Sequence, residues 1–330
     1  MNKPFEIVGD EAPANEGSSD RLDEAARAAW LHFVAGHTQQ RVADALGISR
    51  QSAQRLISLA VEAKLVRIEV VHPIARCMAL AEELRRLLKL RSCTVVPSDP
   101  SSMSGTLGVA EEVAAQIERL LRLEAPLILG IGTGRTLSAA ASKVPPMNCP
   151  QHRIVACVGS TSIEGWATFH DVVTKLANTV RAPHYPMPVP VMANSAEERQ
   201  VLLDQKPVRK VIDLARRADV TFLGIGHLQE GATLFEDGFV TANELKALRK
   251  AGAVGEMVGW SFDADGNFIT GLTNDRVVSI PPERDANARV AGVAKGDRKV
   301  PAILGAIRGR LINELVTDER TAEQLLAARR

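Results

Sequence analysis

The chain has 330 residues, 45% hydrophobic and 24% charged, an ordinary globular composition with length for two or three domains. Forty Lys and Arg against 39 Asp and Glu leave a formal charge of +1. That excludes a polycation, so any nucleic-acid contact must come from a local patch. Cys77, Cys93, Cys149 and Cys157 form no C-x-x-C pair; their spacing disfavours a zinc or redox motif and predicts reduced, partly buried thiols.

The first stretch, "MNKPFEIVGDEAPANEGSSD" over 1–20, has no apolar h-region, and no later run reaches the ~18 apolar residues of a membrane span. It reads as a disordered polar tail on a cytoplasmic chain with no membrane partner. Residues 21–72 then form the first folded segment. "DEAARAAWLHFVAG" has helical spacing at Ala26, Trp30, Phe33 and Val34, and Gly36 stops it. A second helix is predicted from Thr38, its N-cap, to Leu46. Gly47-Ile48-Ser49 turns the chain, and a third helix runs from Arg50 to about Ala63 with Ser49 as N-cap. "KLVRIEVV", 64–71, alternates as a short strand or wing.

Ala53, Leu56, Ile57 and Ala60 fall at i, i+3, i+4 and i+7, so they face the other helices. Gln51, Ser52, Gln54 and Arg55 point away, with Arg50 at the helix start. Small Ala43 and Gly47 let the second and third helices cross closely, the arrangement of a helix-turn-helix. Arg, Gln and Ser hydrogen-bond to base edges and phosphates in a major groove. Residues 36–67 carry Arg41, Arg50, Arg55, Lys64 and Arg67 against Asp44 and Glu62. The expected contacts to double-stranded DNA are therefore Thr38, Gln39, Arg50, Gln51, Ser52, Gln54 and Arg55. A three-helix bundle with a solvated polar face is the plainer alternative.

Residues 73–104 read as a linker: a helix in "ARCMALAEELRRLLKL", then "RSCTVVPSD" as a strand entering the next domain. From 105 to 330 helices and apolar strands alternate. Leu127–Ile131 and Val220–Ile225 are almost wholly apolar, as parallel strands covered on both faces are. The pattern predicts an α/β domain with a mostly parallel sheet.

Two of its strands end in glycine-rich loops, "GIGTGRTL" (130–137) and "GIGHLQEG" (224–231). Glycine there lets backbone N–H groups approach a ligand, and the following helix start favours an anion. Neither loop matches a dinucleotide or ATP fingerprint, so no cofactor is expected. Thr133, Arg135 and Thr136 suit a small hydroxylated or phosphorylated molecule. Lys299 stands at a later helix start, against the macrodipole, which a bound anion would relieve. In open α/β sheets such strand ends converge on one crevice. Asp171, on a helix, and Asp265, in "DADGN", are further polar candidates, although "DADGN" is equally a good hairpin turn. No catalytic triad and no metal-ligand spacing stands out.

These stretches resemble the SorC family of sugar-responsive bacterial transcriptional regulators, grouped with DeoR-type regulators. The resemblance runs from Ala25 to Leu326 and rests on "TQQRVADALGISRQSAQRLISLA", "GIGTGRTL", "VTKLANTVRAPHYPMPVPV", "ADVTFLGIG" and "VAKGDRKVPAILGAIRGRLINELVTDERTAEQLL". It implies a winged helix-turn-helix, a linker helix that helps assembly, and a Rossmann-like effector domain related to sugar-phosphate isomerases and deaminases. It also implies a homo-oligomer, dimer or tetramer, on operator DNA. Carried over by position, the effector pocket would use Gly132, Thr133, Gly134, Arg135 and Thr136, completed by Asp171, Asp265 and Lys299. The effector would be a small sugar, sugar phosphate or polyol, controlling a carbohydrate or polyol catabolic operon. The competing reading is a sugar-phosphate isomerase-like or deaminase-like enzyme, because "GIGTGRT" looks like the phosphate loop of those enzymes. Against it stand the DNA-reading helix and the lack of an acid/base constellation. A third reading is an effector domain that only assembles.

Overall fold

The computed structural model describes residues 16–63, 65, 66, 73–98, 105–161, 172–282 and 288–328. The chain divides into two compact units, Met1–Val71 and His72–Arg330.

In the first unit α1 (Glu16–Ala29) continues through a five-residue π turn, Trp30–Val34, before α2 (Gln39–Leu46) and α3 (Arg50–Glu62). Both predicted caps form: the Thr38 hydroxyl accepts from Arg41 N–H, and the Ser49 hydroxyl from Ser52 N–H. Gly47 ends α2 with φ at 67°, in the left-handed region that glycine adopts without a Cβ penalty. Ala53, Ile57 and Ala60 are buried, with Leu56 packed beside them.

The inward face of α1 differs from its predicted one. Ala25, Ala28 and Ala29 are fully buried, whereas Trp30 is 58% and Val34 67% exposed. Alanines at i, i+3 and i+4 let α1 lie close on α3, and an indole would hold the two helices apart. The helix also begins at Glu16, inside the stretch read as a polar tail. Of the predicted wing only residues 65 and 66 are described, and neither is in a strand; the rest of that expectation lies outside the described residues.

The second unit opens with α4 (Pro73–Leu88) and β1 (Ser92–Val96), followed by α5 (Val109–Leu121), β2 (Ile128–Ile131), α6 (Arg135–Ala141) and β3 (Arg153–Thr161). Then come α7 (Val172–Val180), β4 (His184–Pro190), α8 (Ala196–Leu203), α9 (Lys206–Ala215), β5 (Val220–Gly224) and β6 (Gly226–His227). The chain continues through α10 (Thr233–Glu236), α11 (Ala242–Lys250), β7 (Gly255–Met257) and β8 (Trp260–Phe262). It closes with β9 (Arg289–Val293), α12 (Val300–Arg308), β10 (Glu314–Asp318) and α13 (Glu319–Ala327).

Seven strands make one sheet in the order β1-β10-β9-β5-β2-β3-β4, every pair parallel. Helices cover both faces over two apolar cores, one around Leu129, Ile131, Ile154 and Phe222, the other around Leu223, Phe262, Ile303 and Leu315. That double burial is why β2 and β5 carry near-continuous apolar runs. From β2 the chain steps outward through β3 and β4, then returns to place β5 on the other side of β2. The reversal opens a crevice between β2 and β5 at their carboxyl ends.

Over that crevice lies an element with no counterpart in the sequence reading, a small antiparallel sheet of β6, β7 and β8. The four cysteines are free, and three of them are buried.

Candidate functional site

The outward face of α3 is polar, as its apolar period requires. Arg50, Gln51, Gln54 and Arg55 are exposed. Ser52 is half-buried, with its hydroxyl 2.9 Å from that of Ser49. In α2, Thr38 is exposed and Gln39 half-buried. The structure therefore gathers the predicted DNA-contacting residues on the two polar faces of a helix, a glycine turn and a second helix.

In the second unit a cavity of about 550 Å³ sits at the carboxyl ends of β2, β5 and β9, inside the size range of small-molecule sites. Gly224, at the end of β5, and Gly226, opening β6, line it. Gly130 is kept bare by its neighbour, since a Cβ there would lie 2.6 Å from Thr221 Oγ1. Gly132 is buried beneath the loop, donating from its N–H to Phe222 O at 2.9 Å, and does not line the cavity. Thr133, Gly134, Arg135 and Thr136 line it, as does Lys299 from the other side. Gly134, at φ 124°, turns the chain into α6, so the unpaired N–H groups of the first turn of that helix start at the cavity wall. Lys299 precedes α12 in the same way, with a proline opening that helix.

The cavity wall sets charged groups among apolar ones such as Val158, Val191 and Phe239. Arg135 Nη2 donates to Thr233 Oγ1 at 3.2 Å, Arg298 Nη1 to Glu230 O at 2.9 Å and Lys295 Nζ to Leu107 O at 3.1 Å. Asp297 pairs with Arg320. Lys299 makes no side-chain hydrogen bond or ion pair among the described residues. Burial pushes its ammonium below the ordinary lysine range; Glu256 pulls it back up and Arg135 pushes it further down. Glu256 is the mirror case: burial raises its carboxyl, while the Gly259 N–H at 3.0 Å and the Lys299 charge oppose the rise. His227 is lowered by burial first, then by Lys299, Arg298 and Arg135, with Glu236 opposing. A cavity that brings Lys299, Arg298 and Arg135 together at two helix starts has the charge to receive an anion.

One predicted residue is elsewhere. Asp265 is exposed in the turn between β8 and Phe268, away from the cavity lining. There Asp263 accepts from the N–H groups of Asp265 and Asn267, so this acidic stretch serves the turn and the hairpin reading holds. Asp171 lies outside the described residues. The sequence reading did not single out His227, Asp237, Glu256, Lys295 or Arg298, all in the lining. His227 lay in the second glycine-rich loop, and Lys295 and Arg298 in the strand-end stretch 294–299 before Lys299, both expected at the crevice; Asp237 and Glu256 had no such signal.

Helix-turn-helix and strand-end cavity together define a DNA-binding regulator with a separate small-molecule domain. A sugar-binding domain family model matches residues 72–327, and a homeodomain-like helix-turn-helix model matches residues 21–65. The chain belongs to that sugar-binding family of transcriptional regulators. It is 35% identical over 302 residues to the erythritol catabolism regulatory protein EryD of Brucella abortus, covering 92% of this chain and 96% of that one. The deoxyribonucleoside regulator of Bacillus subtilis is 28% identical over 302 residues, covering 91% and 96%. In fold the chain is similar to the full-length sorbitol operon regulator SorC of Klebsiella pneumoniae, with a TM-score of 0.68, 24% identity and 93% and 99% coverage. These relatives are transcription regulators, which removes the enzyme reading of the glycine loop; no helix among the described residues is long and apolar enough to cross a membrane.

Proposed function

We propose that the cavity binds a small polyol carrying one phosphate, and that this effector sets the affinity of α2 and α3 for operator DNA of a polyol catabolic operon. The observation that carries the reading is the placement of Arg135 and Lys299 at the starts of α6 and α12 on one cavity of about 550 Å³. Thr133, Gly134, Arg135, Thr136 and Lys299 hold the phosphate; Asp237 and Glu256 accept from the hydroxyls. EryD, by its name a regulator of erythritol catabolism, supports a four-carbon polyol as the class.

Operator contacts come from Thr38, Gln39, Arg50, Gln51, Ser52, Gln54 and Arg55. A cytoplasmic dimer or tetramer presents two recognition helices about one helical turn apart, and an effector acts by binding the DNA-competent and incompetent arrangements unequally. We assign 21–72 to DNA binding, 73–104 to the linker and 105–330 to the effector domain.

The test is a thermal-shift comparison of matched pairs, erythritol against erythritol 4-phosphate and sorbitol against sorbitol 6-phosphate. At a hundred times its dissociation constant a ligand adds about 2.7 kcal/mol. Stabilisation by the phosphorylated member of a pair, lost in Arg135→Ala, is the expected result. Stabilisation by the free polyol alone overturns the phosphate assignment.

A further inference from the structure

The segment 228–233 runs up to the lining residue Thr233 and is gripped by arginines from three elements. Arg249 of α11 donates through Nε to Leu228 O, Arg298 before α12 through Nη1 to Glu230 O at 2.9 Å, and Arg135 of α6 through Nη2 to Thr233 Oγ1 at 3.2 Å. The segment is itself staked into the core. Leu228, Ala232 and Leu234 are buried, so Thr233 sits between two anchored neighbours. The Ala232 N–H donates to Gln229 O at 3.0 Å and the Asp237 N–H to Thr233 O at 2.8 Å, which fixes the backbone on either side of the hydroxyl. Of the three arginines, Arg135 and Arg298 line the cavity. One anchored turn therefore holds, by a single donor each, the two arginines that an anion would meet.

Arg135 depends on that hold. It is exposed at the start of α6, and among the described residues Thr233 is the only hydrogen-bond partner of its side chain. A long exposed arginine without a partner spreads over many rotamers, and ordering it on binding costs affinity. Spending Nη2 on Thr233 leaves the rest of the planar fork to receive an oxyanion. From this arrangement we propose that Thr233 is a positioning residue for the effector's anionic group: its hydroxyl, fixed by the buried residues on either side, aims the Arg135 guanidinium at the cavity before the ligand arrives. The inference rests on the anionic-effector reading above and deepens it, because it says how the charge is met. An uncharged polyol gains nothing from an aimed guanidinium, so Thr233 favours the phosphorylated effector over the free one without any ordering step at binding.

Sulfate is the probe, since it carries the charge and has no carbon-bound hydroxyls for Asp237 and Glu256 to read. Equilibrium dialysis of the full chain with radiolabelled sulfate, at fixed pH and ionic strength, compares wild type with three variants at this position. Thr233→Val keeps the shape and loses the acceptor, Thr233→Ala loses the acceptor with a smaller side chain, and Thr233→Ser keeps the acceptor. Arg135→Ala, alone and combined with Thr233→Val, completes a double-mutant cycle. The expected result is sulfate binding about three- to tenfold weaker in Thr233→Val and Thr233→Ala, restored in Thr233→Ser. Thr233→Val should add nothing once Arg135 is alanine, whereas a merely structural threonine would cost the same in both backgrounds. Unchanged binding in the valine and alanine variants overturns the proposal, as does an equal loss with and without Arg135, or a serine variant as weak as valine. Tighter binding overturns it too, because the hydroxyl then competes with the anion for the guanidinium. Each of these results leaves the anion site standing as long as Arg135→Ala weakens sulfate binding. Sulfate binding indifferent to Arg135→Ala instead removes the anion site itself, and the proposed function falls with it.

Discussion

Glu256 occupies the space that a side chain on Gly226 would need. A Cβ built on Gly226 would overlap Glu256 Oε1 far inside van der Waals contact, while Oε2 accepts from the Gly259 N–H at 3.0 Å. The two residues are register partners across β6 and β7, so the bare glycine and the fixed carboxylate form one device at the cavity wall. Gly226 has no left-handed φ, so its backbone accepts alanine without strain. Gly226→Ala is therefore a steric probe of Glu256: the carboxylate is displaced from Gly259, at a cost of about 1–3 kcal/mol for overpacking. Urea denaturation measures that cost. The companion expectation is a weakened thermal shift with the phosphorylated polyol and an unchanged one with sulfate, because the anion end is left intact.

Arg55 is exposed on the second turn of α3, beyond the buried Ala53 and Ile57. Among the described residues its removal unpairs no hydrogen bond or ion pair. Arg55→Ala is expected to keep wild-type stability and effector affinity and to weaken operator binding by about 1–3 kcal/mol. Fluorescence anisotropy with an operator fragment selected from genomic DNA reads this out; equal affinity in the variant removes Arg55 from the interface.

What could be read from sequence was local. The caps at Thr38 and Ser49, the glycine at 47 and the period of Ala53, Ile57 and Ala60 each involve residues within one or two turns, so the polar face of α3 followed directly. The loop at 130–136 was legible because a parallel strand buried on both faces is an unbroken apolar run with a sharp end. The opposite wall was not. Glu256 and His227 meet through strands of three and two residues, too short for alternation to register, and their pairing spans some thirty positions of chain. Asp265 was misplaced for a related reason: an Asp-Gly turn has the same wording whether its carboxylates bind a ligand or the turn's own N–H groups. At Trp30 the apolar spacing was sound but size decided, since α1 meets α3 through alanines.

The thiols give an independent check of burial. Burial pushes Cys93 and Cys157 up to about 12, and raises Cys77 and Cys149 as well. The thiolate is the reactive form, so native protein at about pH 8 should react negligibly with iodoacetamide, and the denatured chain should lose all four thiols. Rapid modification of Cys93 in the native protein would contradict its assigned environment.

Lys299 and Glu256 each favour the other's charged form against a burial that opposes both, and removing one exposes the other's cost. In Lys299→Met the charge that lowers Glu256 is gone, while the burial that raises it stays. A carboxyl whose folded pKa lies above its unfolded one favours the folded state fully at pH below the unfolded value. That stability is lost as pH rises toward the folded value. Wild type already has this slope, and Lys299→Met extends it to higher pH. The variant should therefore lose stability relative to wild type as pH rises from about 5 to about 8 in urea melts. Adding Glu256→Gln should flatten the difference, because a neutral amide has no proton to lose. Both variants should bind sulfate more weakly than wild type, since the lysine facing the anion is absent. If the single variant instead keeps a constant offset across that range, the two side chains are not coupled, and the anion is held by Arg135 and the helix starts alone.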